Sequence, residues 1–447
     1  MAVPDAIAAY HRLLEADEAG ALEQARRLEE SFGRRGVTFA GQPMSSFVRP
    51  HFVSRVDFDA LRTAASRLVE ICARVARQAH GGDLSRLLAF LGTPEAEARH
   101  VRVDPGEPDV VLSRVDAFLA AGQPRFIEIN SDAPAGFGYG DRMAELLREV
   151  PVFAAFAKKF KVGYAASAPS LLDAVQEIAR STRAGSSATV AIVDWAEVKT
   201  RADQEILREA FAARGVSCFL ADPRDAERRS GRLSFGGRVA DVVYRRAVLS
   251  ELCEREAESR VFLEAYRGGE AVFVNSLRCR VSEDKAFFAI LTDETFEELL
   301  SVDERDFVAR VVPWTRRVEE RHTTRRGQDV DLVPHVLAER EGLVLKPAHG
   351  YGGASVYVGS ETPASHWEAA VTTALSGAWV VQERVEIPEE PFPVVENGAL
   401  AFRSFKVNVN PFYVRGAEVG AVTRASRSAV INVSAGGGSL PTFVLED

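Results

Sequence analysis

The most constraining feature of this chain is a pair of short apolar segments, Val110–Leu119 and Arg125–Asn130, separated by Ala-Ala-Gly-Gln-Pro. Both are apolar with charged residues interspersed, and a glycine-containing gap of this length between two such runs predicts a β-hairpin. Side chains alternate along a strand, so Arg114 and Asp116 share a face, as do Glu128 and Asn130. A turn around Gly122 sets Asp116 opposite Glu128 and Arg114 opposite Asn130, crowding all four onto one face. Phe126, Ile127 and Ile129 leave an apolar face for a core. Two carboxylates and an amide oxygen make a hard oxygen site of the kind Mg²⁺ takes while keeping waters and phosphate oxygens. Arg114 beside them suits a phosphate or fixes the carboxylates. The same four residues also suit an exposed face with a cross-strand ion pair. The next ten residues, Ser131 to Gly140, are glycine-rich and read as a functional loop near that face or as a plain connection.

A second polar constellation lies far downstream. Leu343-Val344-Leu345-Lys346-Pro347 reads as a strand ending in a lysine. It runs into Ala348-His349-Gly350-Tyr351-Gly352-Gly353 and then a further strand, Ala354–Val358. A glycine turn between strands lets backbone N–H groups close over an anion, and the lysine supplies a point charge for phosphate. This is not the GxxxxGK[ST] loop, because the lysine precedes the glycines and no helix follows. A hairpin with a surface lysine is the plainer alternative. Lys285 sits near the start of a helical segment, where acids are normally favoured, as Glu283 and Asp284 show. Trp379 to Arg384 reads as an apolar strand whose edge suits adenine through backbone bonds, with Glu383 on a ribose hydroxyl; a plain strand end is the alternative. Arg403, Arg424 and Arg427 flank strand-like segments before Asn432 and Gly436-Gly437-Gly438. Arginines there suit a transferring phosphoryl group or the surface.

Between and around these motifs, residues 5–32 and 57–92 read as helices, the second with Leu61, Ala65, Leu68, Ile71, Val75 and Ala79 at helical spacing. Gly33–Arg55 is loop-rich, and residues 141–149 are helical. Residues 188–250 read strand (Ala188–Trp195), helix (Asp203–Arg214), strand (Val216–Ala221), hairpin, strand: an α/β unit. No GxGxxG follows its first strand, where Asp194-Trp195-Ala196-Glu197 stands instead, so a dinucleotide fold is not expected. Residues 281–447 open with Lys285–Leu291 as a helix, then two helical stretches and many short strands.

At 447 residues and 46% hydrophobic, the chain is long enough for two or three domains. A net charge of −9 argues against a general nucleic-acid binder or a membrane-surface protein. Cys72, Cys218, Cys253 and Cys279 are scattered without CxxC spacing, so neither a disulfide framework nor a zinc site is expected, and reduced thiols in the cytoplasm fit better. The first ten residues lack a signal-peptide pattern, and no apolar run approaches the ~20 residues of a membrane span.

Taken together, the Arg114-x-Asp116 … Glu128-x-Asn130 set, Lys285, the Lys346-Pro347 strand with Gly350-x-Gly352-Gly353, the Gln382-Glu383 edge and the Arg424 … Asn432 … Gly-rich ending resemble the circularly permuted ATP-grasp proteins, within them the glutathionylspermidine synthetase-like group. In unpermuted ATP-grasp enzymes the metal carboxylates follow the lysines and the glycine lid; here they precede them. The resemblance spans roughly residues 100–445. It implies an α/β (α+β) fold with an ATP cleft between mixed and antiparallel sheets. It also implies a helical N-terminal region over 1–95, the permuted metal-binding part over 96–165, an α/β pre-ATP-grasp-like domain over 166–280 and the nucleotide-binding part with its lid over 281–447. It implies that Asp116, Glu128 and Asn130 bind Mg²⁺, that Arg114 faces the phosphate end, and that Lys285 and Lys346 contact ATP phosphates. Gly350, Tyr351, Gly352 and Gly353 would form the lid, Gln382 and Glu383 would meet adenine and ribose, and Arg424 or Arg427 would steady the transferred phosphoryl. The implied activity is ADP-forming ligation of a small carboxylate to an amine through an acyl phosphate, on peptide or amino-acid-like substrates, with no nucleic-acid or membrane partner. An ATP-binding protein of the same fold without ligation, kinase-like or regulatory, is the alternative. No Cys-His amidase segment of the kind fused to some glutathionylspermidine synthetases stands out, so hydrolysis of the amide product is not expected.

Overall fold

A computed structural model of the chain describes residues 3–446 apart from 46, 183, 186, 351–354 and 432–436. The hairpin forms as strands Leu112–Ala120 and Gln123–Asn130. Its turn is two residues long, with Ala121 and Gly122 both at positive φ (48° and 75°), the mirror-image geometry that matches strand twist. Counted back from that turn, where Ala120 opposes Gln123, Asp116 would face Ile127. The ladder instead shifts between Asp116 and Ala117: Ala117 opposes Phe126, Asp116 opposes Glu128 and Arg114 opposes Asn130. Ile127 is thus the extra residue of a β-bulge. This corrects one expectation. Phe126 and Ile129 are buried in the core, but Ile127 leaves that face and lines a cavity on the other.

The hairpin occupies one end of the largest sheet. The strand order there is His51–Ser54, Gly438–Leu445, Ala421–Ser426, Ala399–Val414, Leu112–Ala120, Gln123–Asn130, with Glu389–Glu396 and Val162–Gly163 paired at its sides. The C-terminal region was expected to hold many short strands. Ala399–Val414 instead runs for 16 residues, pairing with Glu389–Glu396 over its first half, with Ala421–Ser426 over its second and with Leu112–Arg114 at its end. The long helix Arg55–Gln78 covers the apolar face of this sheet with Leu61, Ala65, Leu68, Cys72 and Val75. The helix read over 57–92 is interrupted, because His80, Gly81 and Gly82 all take positive φ, and a separate helix, Leu84–Leu91, follows. The helix read over 5–32 is likewise two, Val3–Glu15 and Glu18–Arg34, the second capped by Asp17.

The α/β unit carries a parallel sheet ordered Val272–Val274, Val242–Arg245, Val190–Val193, Cys218–Ala221. A third sheet, ordered Thr315–Arg317, Trp379–Glu383, Leu343–Pro347, Tyr357–Val358, rests on Trp367, Leu332 and Val336. Cys72, Cys218, Cys253 and Cys279 are all free thiols. Among the described residues no helix is long and apolar enough to cross a membrane.

One side chain joins the α/β unit to the hairpin. Asn275, 2% exposed, accepts from Val111 N (2.7 Å) and Leu112 N (3.1 Å) and donates to Leu112 O and Ser131 O (both 2.7 Å). Its amide therefore ties the start of the hairpin to its end. Asn275→Ala strands several buried backbone groups, each costing about 1–3 kcal/mol when unpaired. Urea unfolding of this variant should show a loss of at least about 2 kcal/mol; a loss below about 0.5 kcal/mol would show that water replaces the amide.

Candidate functional site

The polar face of the hairpin forms one wall of a cavity of about 410 Å³. The third sheet forms the opposite wall, and Thr200 and Val248 of the α/β unit close one side. Arg114, Asp116, Glu128, Asn130, Lys285, Lys346, Gly350, Gln382, Glu383 and Arg424 all line this space. Arg427 does not: its guanidinium pairs with Glu396 on the exposed side of the sheet and stacks over Phe405. Strand alternation explains the difference, since residues 424 and 427 differ by an odd number and Arg427 lies past the end of its strand. Tyr351, Gly352, Gly353, Asn432 and Gly436 lie outside the described residues.

Asp116 is the charge centre of the hairpin wall and is only 3% exposed. Arg114 Nε donates to one of its oxygens at 2.7 Å, Arg424 Nη1 to the other at 3.2 Å, and Asn130 Nδ2 lies 3.2 Å away. Burial works to raise this carboxyl, but the two guanidiniums outweigh burial and hold it below the usual carboxylate range. Arg424 is itself lowered, by burial and then by Arg114. Glu128, on the neighbouring strand, meets Lys285 Nζ at 3.4 Å, and the same ammonium donates to Gly350 O at 2.8 Å. Lys285 does not open a helix as expected. It lies between Arg280–Glu283 and Phe287–Thr292, where its own N–H donates to Ala348 O.

Lys346 is 7% exposed and reaches from the opposite wall, donating to Gln382 Oε1 at 2.7 Å and to Ile127 O at 3.4 Å. That acceptor is the carbonyl of the bulge residue, so the register shift that aligns the carboxylates also supplies a partner for the lysine. Burial lowers Lys346 to about 8, against the pull of Glu128 and with a further push from Lys285. Gln382 completes the chain by donating to Thr315 Oγ1 at 3.0 Å. Its strand is interior to the sheet, not an edge: Glu383 N donates to Trp314 O and Arg384 N to Gly342 O. Backbone recognition of a base by residues 382–384 is therefore limited to groups past this ladder. Glu383 faces Arg325 at 2.8 Å and, despite burial, is held low by it. Beyond it, Phe118, Val344, Val358, Val385 and Ile387 give the cavity an apolar slot.

Sequence reading missed Asn408. Residues 408, 410 and 412 share the face that carries Arg114, because Phe412 pairs with Arg114 and Asn408 pairs with Arg424. The signal was available: Asn408 and Asn410 alternate with Val407 and Val409, and the second accepts from Ala117 N at 3.3 Å. Also unforeseen were the anchors of the loop after the hairpin. The glycine-rich stretch is partly helix, Phe137–Arg148, whose first N–H groups are capped by Asp203 of the α/β unit: Gly136, Gly138 and Tyr139 donate to it at 3.1, 3.0 and 2.8 Å.

Five cations (Arg114, Lys285, Lys346, Arg384 and Arg424) and four carboxylates (Asp116, Glu128, Glu283 and Glu383) thus line one cavity, and the cations beside Asp116 and Glu128 suit a polyphosphate next to an apolar slot suited to an aromatic base. The family described as circularly permuted ATP-grasp type 2 matches residues 104–425. Among solved structures, a glutathione synthetase-like effector from Globodera pallida in its apo form is similar with a TM-score of 0.62 at 11% identity, covering 95% of this chain and 97% of that one. A putative gamma-glutamylcysteine synthetase from Methylobacillus flagellatus gives a TM-score of 0.42 at 12% identity, with 86% of each chain covered. No curated protein sequence matches the chain.

Lys346 generates a pH prediction. An anion bound against its charged form would raise its pKa above the free value of about 8. Affinity should therefore be full below pH 8 and fall as pH rises through it, by up to about tenfold per unit. Calorimetry with tripolyphosphate from pH 7.5 to 9.5 should show this slope in the wild type. Lys346→Met should bind more weakly at every pH with the slope gone; an equal slope in both proteins would exclude Lys346 as its source.

Proposed function

Because the chain belongs to the circularly permuted ATP-grasp type 2 family, we propose that it is an ATP-dependent, ADP-forming ligase that joins a small carboxylate to an amine through an acyl phosphate. The observation that carries this reading is the convergence of Arg114, Asp116, Glu128, Lys285, Lys346 and Arg424, from four separate stretches of sequence, on one cavity. A carboxylate is a poor electrophile because its leaving group would be an oxide. Phosphorylation supplies a leaving group that an amine can displace. Such chemistry needs positioning and charge neutralisation more than a protein nucleophile.

The residues fit Mg²⁺. Asp116, Glu128 and Asn130 share one face of the hairpin and would hold the ion by exchanging their present contacts with Arg114, Arg424 and Lys285; no group of three His, Cys, Asp or Glu that could hold a metal ion by itself occurs among the described residues. Two carboxylates and an amide suit an ion that keeps its remaining positions for water and phosphate oxygens. When bound, Mg²⁺ would supply charge neutralisation at those oxygens, worth several kcal/mol. The chain's own groups do the rest. Lys346, at the end of its strand, and Lys285, bonded to the loop that follows that strand, would draw the phosphates into the cleft. Arg424 and Arg114, both hydrogen-bonded to Asp116, would meet the charge that grows on the transferred phosphoryl group. The apolar slot takes the base, with Glu383 beside the ribose. The Gly350–Gly353 segment, as a lid, would exclude water from an intermediate that hydrolyses readily. Peptide or amino-acid-like substrates in the cytoplasm complete the reading, as the resemblance to glutathionylspermidine synthetases implies.

ADP release is the test. Release that requires both an added carboxylate and an added amine supports ligation; release with carboxylate alone points to an acyl-phosphate former; no binding of ATP in the presence of Mg²⁺ removes the reading entirely. Glu128→Ala should reduce turnover at least about 10³-fold with unchanged circular dichroism. Arg424→Ala should lower kcat by about 10²–10³-fold, the range for loss of one transition-state charge donor. Arg427→Ala should stay within about twofold of wild type, and a large loss there would reverse the assignment between the two arginines.

A further inference from the structure

Glu283 lines the cavity and has no part in the nucleotide and metal roles above. One of its oxygens, Oε2, is pinned by two backbone donors, Ser131 N at 2.7 Å and Asp132 N. Ser131 follows Asn130 directly, so this carboxylate is held one residue beyond the metal-facing end of the hairpin. Oε1 takes no hydrogen bond from a described residue. Ala133, Pro134, Ala135, Thr200 and Val248 line the same cavity, and the charges that act on Glu283 are those of Asp132, Arg280 and Arg245. Its acidic neighbour Asp132 is already paired with Arg245 at 2.6 Å and accepts from Leu249 N at 2.8 Å. Glu283 is therefore the anionic group left open to a ligand where the cavity passes from the phosphate-facing arginines to the α/β unit.

We propose that Glu283 is the acceptor-amine residue: its free oxygen binds the substrate's ammonium group and takes its proton, which makes the second substrate a cationic primary amine. This rests on the ligase reading. The ammonium gives one proton to Glu283; the freed lone pair forms the C–N bond as the C–O bond to phosphate breaks, and the second N–H proton leaves with the departing phosphate. Burial and the Asp132 charge raise Glu283 to about 7, against the pull of Arg280 and of the two backbone donors. The other groups facing it are Arg245 and the buried Cys279 thiol. A carboxylate at that value accepts a proton at neutral pH and gives it back to water.

The test uses the full chain with ATP and Mg²⁺, each of the twenty amino acids or diglycine as carboxylate, and two acceptors. Hydroxylamine is neutral at pH 7.5 and traps acyl phosphates as hydroxamates without a base; putrescine is a dication. In Glu283→Gln, which keeps an oxygen for the two backbone donors, the ratio of putrescine amide to hydroxamate should fall about 100-fold. The acidic limb of kcat/KM for putrescine, rising through about pH 7 in the wild type, should disappear. Equal loss of both products, or an unchanged ratio, would overturn the assignment. Wild-type hydroxamate formation without amide from putrescine, lysine or glycine ethyl ester would overturn the cationic acceptor while leaving the ligase standing. Absence of hydroxamate and of ADP from every carboxylate would instead remove the ligase reading, and this inference with it.

Discussion

The site depends on a short stretch of antiparallel ladder in which Phe412 pairs with Arg114 and Val414 with Leu112. That pairing joins the two halves of the chain. Through it the long strand Ala399–Val414 carries Asn408, Asn410 and, one strand further, Arg424 onto the face that holds Asp116. Neighbouring strands lie about 4.8 Å apart. A guanidinium on one strand therefore reaches a carboxylate two strands away, and Arg424 does so at 3.2 Å. A slip of one residue anywhere in this ladder would turn either the arginine or the carboxylate into the core.

Burying Asp116 beside two arginines is costly unless each charge is met. The structure meets them: both carboxylate oxygens are bonded, and Arg114 also reaches Ala135 O at 3.3 Å. The arrangement stays electropositive because Lys285 and Lys346 enter from elements that belong to neither half of the hairpin. Lys346 is the less comfortable of the two cations, buried and depressed toward neutrality. A phosphate anion would relieve that cost, because the neutral partners of Lys346, Gln382 Oε1 and Ile127 O, leave its charge uncompensated. Around this centre, acids of the α/β unit and its neighbours hold the connecting loop. Asp203 caps the helix after the hairpin, Glu283 pins Ser131 and Asp132, and Asn275 ties Leu112 to Ser131.

Local patterns carried much of this. The alternation Arg114-x-Asp116 and Glu128-x-Asn130 was enough to put each pair on one face, but the pairing of Asp116 with Glu128 is made by the register shift between Asp116 and Ala117. Lys346 at a strand end before glycines was equally visible. The interruption of the helix at His80–Gly82 was written in a Gly-Gly pair inside a helical run. The bulge at Ile127 was not visible, since it is the turn geometry and the carboxylate pairing together that force an extra residue, and neither is a property of Ile127. The interior position of Trp379–Glu383 was hidden for the same kind of reason. An apolar five-residue strand looks alike at an edge and in the middle of a sheet.

What the sequence by itself determined is the chemistry on offer: which side chains alternate onto one face, which lysine closes a strand, and which order the motifs take along the chain. Those are one-dimensional facts, set by side-chain period and residue type. Only the tertiary structure decided which arginine meets Asp116, that Asn408 joins the cavity and Arg427 does not, and that Glu283 holds two backbone N–H groups through one oxygen where Asp132 is paired with Arg245. Each of those outcomes depends on strand order and on contacts between residues hundreds of positions apart, and no local pattern carries that information.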